Sequence, residues 1–162
     1  MEDAGADALS LREVARAAGV SPTAVYRHFP DKRALMVAIA EAGVKRLARA
    51  QEDAANAATD LRCAFQATGR AYVLFALDNP ELFRLIFTYP DIEGHDATKD
   101  AASFLLHDHA LALAGGNVER GRGIALHAWS VVHGLAMLML DGRLPRDPDL
   151  IETTLTSGAM AT

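Results

Sequence analysis

The chain has 162 residues, 51% hydrophobic and 23% charged, with a formal net charge of −5. That composition is globular and excludes a disordered chain, and the length suffices for a core without disulfides or metals. The single cysteine, Cys63, excludes an internal disulfide and a cysteine-built zinc or iron–sulfur site.

The acidic start, Met1-Glu2-Asp3-Ala4, lacks the apolar stretch of a signal peptide. Apolar runs such as residues 71–77 and 135–140 fall short of the roughly 18–20 residues that span a bilayer. A cytoplasmic chain with no membrane partner is expected.

In chain order the pattern predicts helices only. Ser10-Leu11-Arg12-Glu13 reads as a capping box, a serine N-cap with glutamate three residues later. Leu11, Val14, Ala15 and Ala18 follow at helical spacing, and Gly19 stops the helix. Ser21-Pro22 starts a second short helix that ends near Phe29. Asp31 caps a third, to about residue 55, and Thr59 or Asp60 opens a fourth, to about Asp78. Asn79-Pro80 begins a short helix to about Thr88, and residues 89–95, with Pro90 and Gly94, read as a loop. A helix from about Ala97 stops at Gly115-Gly116. Asn117 caps the next, which runs to Asp141-Gly142, and Asp147-Pro148 caps the last. The pattern holds helices and no strand: an all-α protein.

Charge is uneven along these elements. Residues 12–49 hold eight basic and three acidic residues, a net of +5, whereas residues 51–162 net −7. A basic end on an acidic body suits an anionic partner.

The two short helices joined by Ala18-Gly19-Val20-Ser21 have the spacing of a helix-turn-helix. Gly19 tolerates the left-handed turn, Ala15 is small where the helices approach, and Val20 is expected to plug the angle between them. The second helix would enter the major groove. Arg27 can read guanine bidentately or neutralise phosphate, as can Lys32 for phosphate, and Thr23 can meet a thymine methyl or a base edge.

Three strings, "Ala-Gly-Val-Ser", "Val-Tyr-Arg-His-Phe" and "Asp-Lys-Arg-Ala-Leu", give residues 9–47 a strong resemblance to the TetR family of bacterial transcriptional regulators. The resemblance implies an all-helical dimer with a helix-turn-helix DNA-binding head, residues 1–50, and a helical-bundle ligand-binding and dimerisation body, residues 51–162. Carried over residue by residue, Ser10 and Ser21 match helix caps that touch phosphate. Thr23, Ala24 and Arg27 match base-reading positions. Tyr26 and His28 match backbone contacts, and Lys32 resembles a phosphate-contacting lysine. Phe29 and Leu35 resemble head core.

Trp129-Ser130-Val131-Val132-His133-Gly134 resembles the "Trp…His-Gly" signature of a body class in such regulators, as does Leu82-Phe83-Arg84-Leu85-Ile86-Phe87. Trp129 and His133 share a helix face, and Gly134 in mid-helix suggests a close helix contact. Phe75, Phe83, Phe87, Phe104, Trp129 and His133 are expected to be core that also lines a pocket for a small, largely apolar effector. By resemblance, the last two long helices form a four-helix dimer interface.

Neither a metal nor a cofactor is expected. His107 and His109 point to different faces, and His127 and His133 are poorly spaced as ligands. No His-Glu-x-x-His or Gly-x-Ser-x-Gly occurs, so no catalytic residue is expected.

One departure concerns the start. Nine residues precede Ser10, where the family places a whole first head helix. That helix is expected to be missing, through a start lying upstream or through true truncation, and the head to be loosened accordingly. The expected function is a TetR-like repressor that binds operator DNA as a homodimer and is released or modulated by a small-molecule effector. The alternatives are a non-DNA-binding dimerisation remnant and a small helical enzyme using His133 or the His107/His109 pair.

Overall fold

The computed structural model describes residues 10–88 and 101–158, without the side chains of 88, 101–104 and 158. Among the described residues there are eight helices and no strand. They are α1 (Leu11–Ala17), α2 (Pro22–His28), α3 (Lys32–Asn56), α4 (Leu61–Asp78), α5 (Pro80–Thr88), α6 (Ala101–Leu113), α7 (Val118–Leu140) and α8 (Pro148–Gly158). The loop expected over residues 89–95 and the helix start expected at Ala97 lie outside the described residues, as do residues 1–9, where the first head helix was expected to be missing.

Helix starts are set by capping side chains. Asp31 caps α3, Asp60 caps α4 and Asn117 caps α7, each side chain accepting the amide three residues on. The Cys63 and Thr59 hydrogen bonds hold the Asp60 carboxyl below the usual carboxylate range.

The first two helices and the start of α3 share a small core. Leu11, Ala15, Val25 and Leu35 are buried there, with Val14, Phe29 and Ile39 packed around them. Helices as short as seven residues are marginal alone, so this apolar contact and the caps sustain them. Farther along α3, Val44 and Leu47 join a second, larger core. The boundary expected at residue 50 therefore falls inside one continuous helix that belongs to both cores.

The larger core forms around α4, which packs on α3, α5, α6, α7 and α8. Its Tyr72, Val73, Phe75 and Ala76 meet Phe83 and Ile86 from α5, Val132, Leu135, Ala136 and Met139 from α7, and Ile151 and Leu155 from α8. A helix apolar on most sides has to be surrounded. Phe65, Ala110 and Ala125 form a separate cluster joining α4, α6 and α7. There Gly121 permits contact closer than a side chain allows: a Cβ on it would lie 3.1 Å from the Leu111 Cα.

By length and composition alone α7 could cross a membrane, with mean hydropathy 1.6 over 18 residues. Counting uninterrupted apolar runs missed this, because scattered polar residues divide the helix. One side of α7 packs on α4, α6 and α8. The other leaves Leu126 63%, Leu138 46% and Trp129 41% exposed. The close contact expected at Gly134 is not made within the chain, since nothing lies within 4 Å of where its Cβ would be.

Candidate functional site

The head turn follows from hydrogen bonds. At the end of α1 the Gly19 amide donates to the Arg16 carbonyl and the Val20 amide to the Ala15 carbonyl. This pairing is a Schellman motif, which needs a left-handed residue between its two bonds. Gly19 has φ +67°, where a Cβ would be strained. Ala15, fully buried, fills the crossing. Val20 does not plug the angle as expected. It is 46% exposed, because the core beneath the turn is already closed by Ala15, Leu11 and Val25.

The capping box at Ser10 is complete. Its hydroxyl accepts the Glu13 amide at 3.2 Å, and its own amide donates to Glu13 Oε2 at 3.0 Å. Hydrogen bonds from the Ser10 amide and side chain hold the Glu13 carboxyl below its usual range. Ser21 caps α2 by accepting the Ala24 amide at 3.2 Å. The Ser21 hydroxyl still has a proton to donate, to a phosphate oxygen for instance.

Helix α2 divides cleanly by face. Val25 is buried in the head core, while Thr23, Tyr26, Arg27 and His28 are exposed and Ala24 is partly so. Thr23, Tyr26 and Arg27 are spaced i, i+3, i+4 and form one outward surface. Lys32, partly buried, opens α3 beyond Asp31. The structure thus gathers Thr23, Ala24, Tyr26, Arg27 and His28 on α2, with Ser21 at its start and Lys32 beyond its end, while Ser10 caps α1.

Not all of the basic segment belongs to this surface. Arg46 Nη2 donates to Asn79 Oδ1 at 3.0 Å, and its guanidinium lies 5.9 Å from the Phe75 ring centre. It ties α3 to α4, so the sequence charge count overstated the head's free positive charge.

In the body, His133 is the hub of an aromatic cluster. Its ring lies 4.7 Å from Phe87, 5.7 Å from Phe83 and 6.0 Å from Trp129, measured between centres. Its Nδ1 shares a 2.9 Å hydrogen bond with the Tyr72 hydroxyl. Burial pushes the His133 pKa down, so the neutral ring is favoured. Tyr72 itself stands edge-on to Phe83 at 5.4 Å.

The pocket residues predicted from sequence are only partly brought together. Phe83, Phe87, Trp129 and His133 meet. Phe75 shares the buried core with Phe83 but lies under Arg46, and the Phe104 side chain lies outside the described residues. Tyr72 was missed because it sits inside an apolar run, where its hydroxyl was the one available clue. Among the described residues no three His, Cys, Asp or Glu side chains gather as a metal site.

Helix α5 separates this cluster from α3. Phe83 and Phe87 face His133, while Leu82 and Ile86 lie against Gly43, where a Cβ would come within 2.8 and 3.0 Å of them. Arg84 on the same helix reaches Asp141 at the end of α7 at 2.6 Å. Displacing either phenylalanine would therefore press on α3, whose other end lies in the head core.

Comparison with known proteins agrees at both ends. The signature described as bacterial regulatory proteins, tetR family, matches residues 1–39, so the head is present. The tetracyclin repressor-like C-terminal domain matches residues 65–157. The HTH-type transcriptional activator FasR of Mycolicibacterium smegmatis is 28% identical over 153 residues, 91% of this chain and 70% of that protein. A solved protein of unknown function from a Rhodococcus species is 36% identical, with TM-score 0.73, covering 97% of this chain and 84% of its own. A TetR family transcription regulator from Marinobacter aquaeolei shares the fold at 23% identity and TM-score 0.67, over 97% of this chain and 86% of its own.

Proposed function

This chain belongs to the TetR family of bacterial transcriptional regulators, and we propose that it is a repressor that binds a two-fold operator as a homodimer and leaves it when a small molecule enters the body. The observation that carries the DNA-binding part is the head geometry. A Schellman turn at Gly19 sets α2 with Thr23, Tyr26 and Arg27 outward and Val25 inward. In that arrangement Arg27 and Thr23 read bases, while Tyr26, His28, Lys32 and the hydroxyls of Ser10 and Ser21 hold the phosphate backbone.

The second copy would cover the outer face of α7. Leu126, Trp129 and Leu138 are exposed there, and Gly123 and Gly134 leave room for close approach. The apolar face supports this reading, since burying it removes hydrophobic area from water. A two-fold dimer presents two heads to half-sites about 34–36 Å apart. An effector that displaces Phe83 or Phe87 would push α5 on Gly43 and tilt α3, spoiling that spacing. FasR is called an activator, which supports a second reading in which the same DNA contact recruits rather than blocks transcription.

Fluorescence anisotropy with DNA from upstream of the gene tests this. Tight binding is expected, weakening steeply with salt, and Arg27→Ala is expected to lose about 1–3 kcal/mol of binding with unchanged helicity. Binding that is insensitive to salt and to Arg27→Ala would favour the dimerisation remnant. Transcription in vitro from the same promoter then separates repression from activation.

A further inference from the structure

The body contains a polar feature that the aromatic cluster leaves unused. Among the described residues, Gln51 and Thr68 are the buried polar side chains, 6% and 3% exposed. Gln51 Nε2 donates to the Thr68 carbonyl at 3.3 Å, and the Thr68 hydroxyl donates to the Phe65 carbonyl at 2.7 Å. Gln51 Oε1 has no donor. Reversing the amide would set two carbonyl oxygens against each other, so the orientation is fixed by chemistry.

There is a second orphan. His109 Nδ1, on α6, is buried without a partner. His109 precedes Ala110, which packs with Phe65. Gln51 on α3 and His109 on α6 therefore belong to helices that pack on each other and on α4, which holds Phe65 and Thr68. Buried acceptors without donors are few in native proteins, and each calls for an explanation.

We infer that Gln51 Oε1 and His109 recognise the effector, and that the effector carries an N–H or O–H donor on an apolar body. The inference rests on the regulator reading above. A carbonyl oxygen only accepts, so the group that meets it must donate. No Lys or Arg is buried among the described residues, so nothing there would balance an anion. The apolar body follows from the surroundings. Phe65 lies on one side, and Tyr72, one turn beyond Thr68, begins the aromatic cluster. Because His109 Nδ1 donates or accepts according to tautomer, it can engage a second polar group of either kind.

Constitutional isomers isolate the donor. Benzyl alcohol and anisole form one pair, 1-octanol and heptyl methyl ether a second, with benzoate as the anion. Binding is read by titration calorimetry on the full chain without DNA, so failure of operator binding or release is registered separately. In at least one pair the alcohol is expected to bind about tenfold more tightly than its ether, the weight of one hydrogen bond, and more tightly than benzoate.

Gln51→Met, close in shape, should erase that preference while raising the melting temperature, because it removes an unsatisfied acceptor. His109→Phe should reduce the preference, with circular dichroism confirming the fold. Equal binding within both pairs, tighter binding of benzoate, no saturable binding by any compound, or a preference that survives Gln51→Met would each overturn the assignment. So would a crystal structure with the alcohol in which a water stays bound to both Gln51 Oε1 and His109 Nδ1.

Discussion

The head and the body of this protein are built at different scales, and that difference decides how each can be read. Among the described residues the head core buries four side chains, Leu11, Ala15, Val25 and Leu35. The main body core buries fourteen, from five helices. A small core leaves the head dependent on local devices: a capping box, a Schellman turn, a serine cap followed by proline. The body depends on contacts between residues far apart in the chain. The head's partner is a DNA groove of fixed dimensions, which a local motif can match. The body's aromatic cluster, and the effector site proposed there, exist only once helices distant in the chain have packed.

Phe83→Ala tests that contrast most severely. Phe83 is fully buried between Tyr72, Phe87 and His133, so its truncation is expected to cost about 3–5 kcal/mol of stability. Urea denaturation, followed by circular dichroism, measures it. A cost below about 1 kcal/mol would mean that the body relaxes into the space and that its core is not the stabilising centre described here. Because α3 runs through both cores, hydrogen exchange on the same variant also shows whether the head loses protection with the body or keeps its own.

A smaller effect is expected in the head. Ser10→Ala removes the acceptor for the Glu13 amide, and the loss is about 1 kcal/mol. It should appear as faster hydrogen exchange in α1 and α2, with α4 and α7 unchanged, since marginal regions open separately from the main core. Equal acceleration in α4 would show that the two cores open as one unit, and the contrast in scale would then have no dynamic consequence.

What could be read from the chain follows the same division. Caps at Ser10, Ser21, Asp31 and Asn117 were legible because a cap is a relation between residues two or three apart. The exposed side of α2 was legible for the same reason. Val20 was misplaced because spacing cannot say which of two small apolar residues closes a crossing. Arg46 was counted with the head's charge, although Asn79 and Phe75 engage it from 33 and 29 residues away. Tyr72 and His133, 61 residues apart, could be joined only by the packing of α4 on α7. The exposed side of α7 was hidden from a count of consecutive apolar residues, because an apolar face needs only one residue in three or four.

The smallest effect sharpens the body side through its single tryptophan. Burial lowers the His133 pKa in the folded chain, whereas the unfolded chain titrates near histidine's usual value of about 6.5. Between those two values the unfolded state binds a proton that the folded state does not. Stability is therefore fully present above about pH 6.5 and declines as the pH falls toward the folded value. His133→Asn removes the titration, so its melting temperature should fall less than the wild type's between neutral pH and mild acid. Trp129, 6.0 Å from the His133 ring, reports the same event, because an imidazolium beside an indole quenches its emission. Quenching that sets in below pH 6.5 in the wild type and is absent in His133→Asn would confirm that the neutral ring belongs to the folded body. Quenching centred at 6.5 or above would mean that the cluster leaves His133 open to water, and the aromatic site would then be a surface groove, solvated like the outer side of α2.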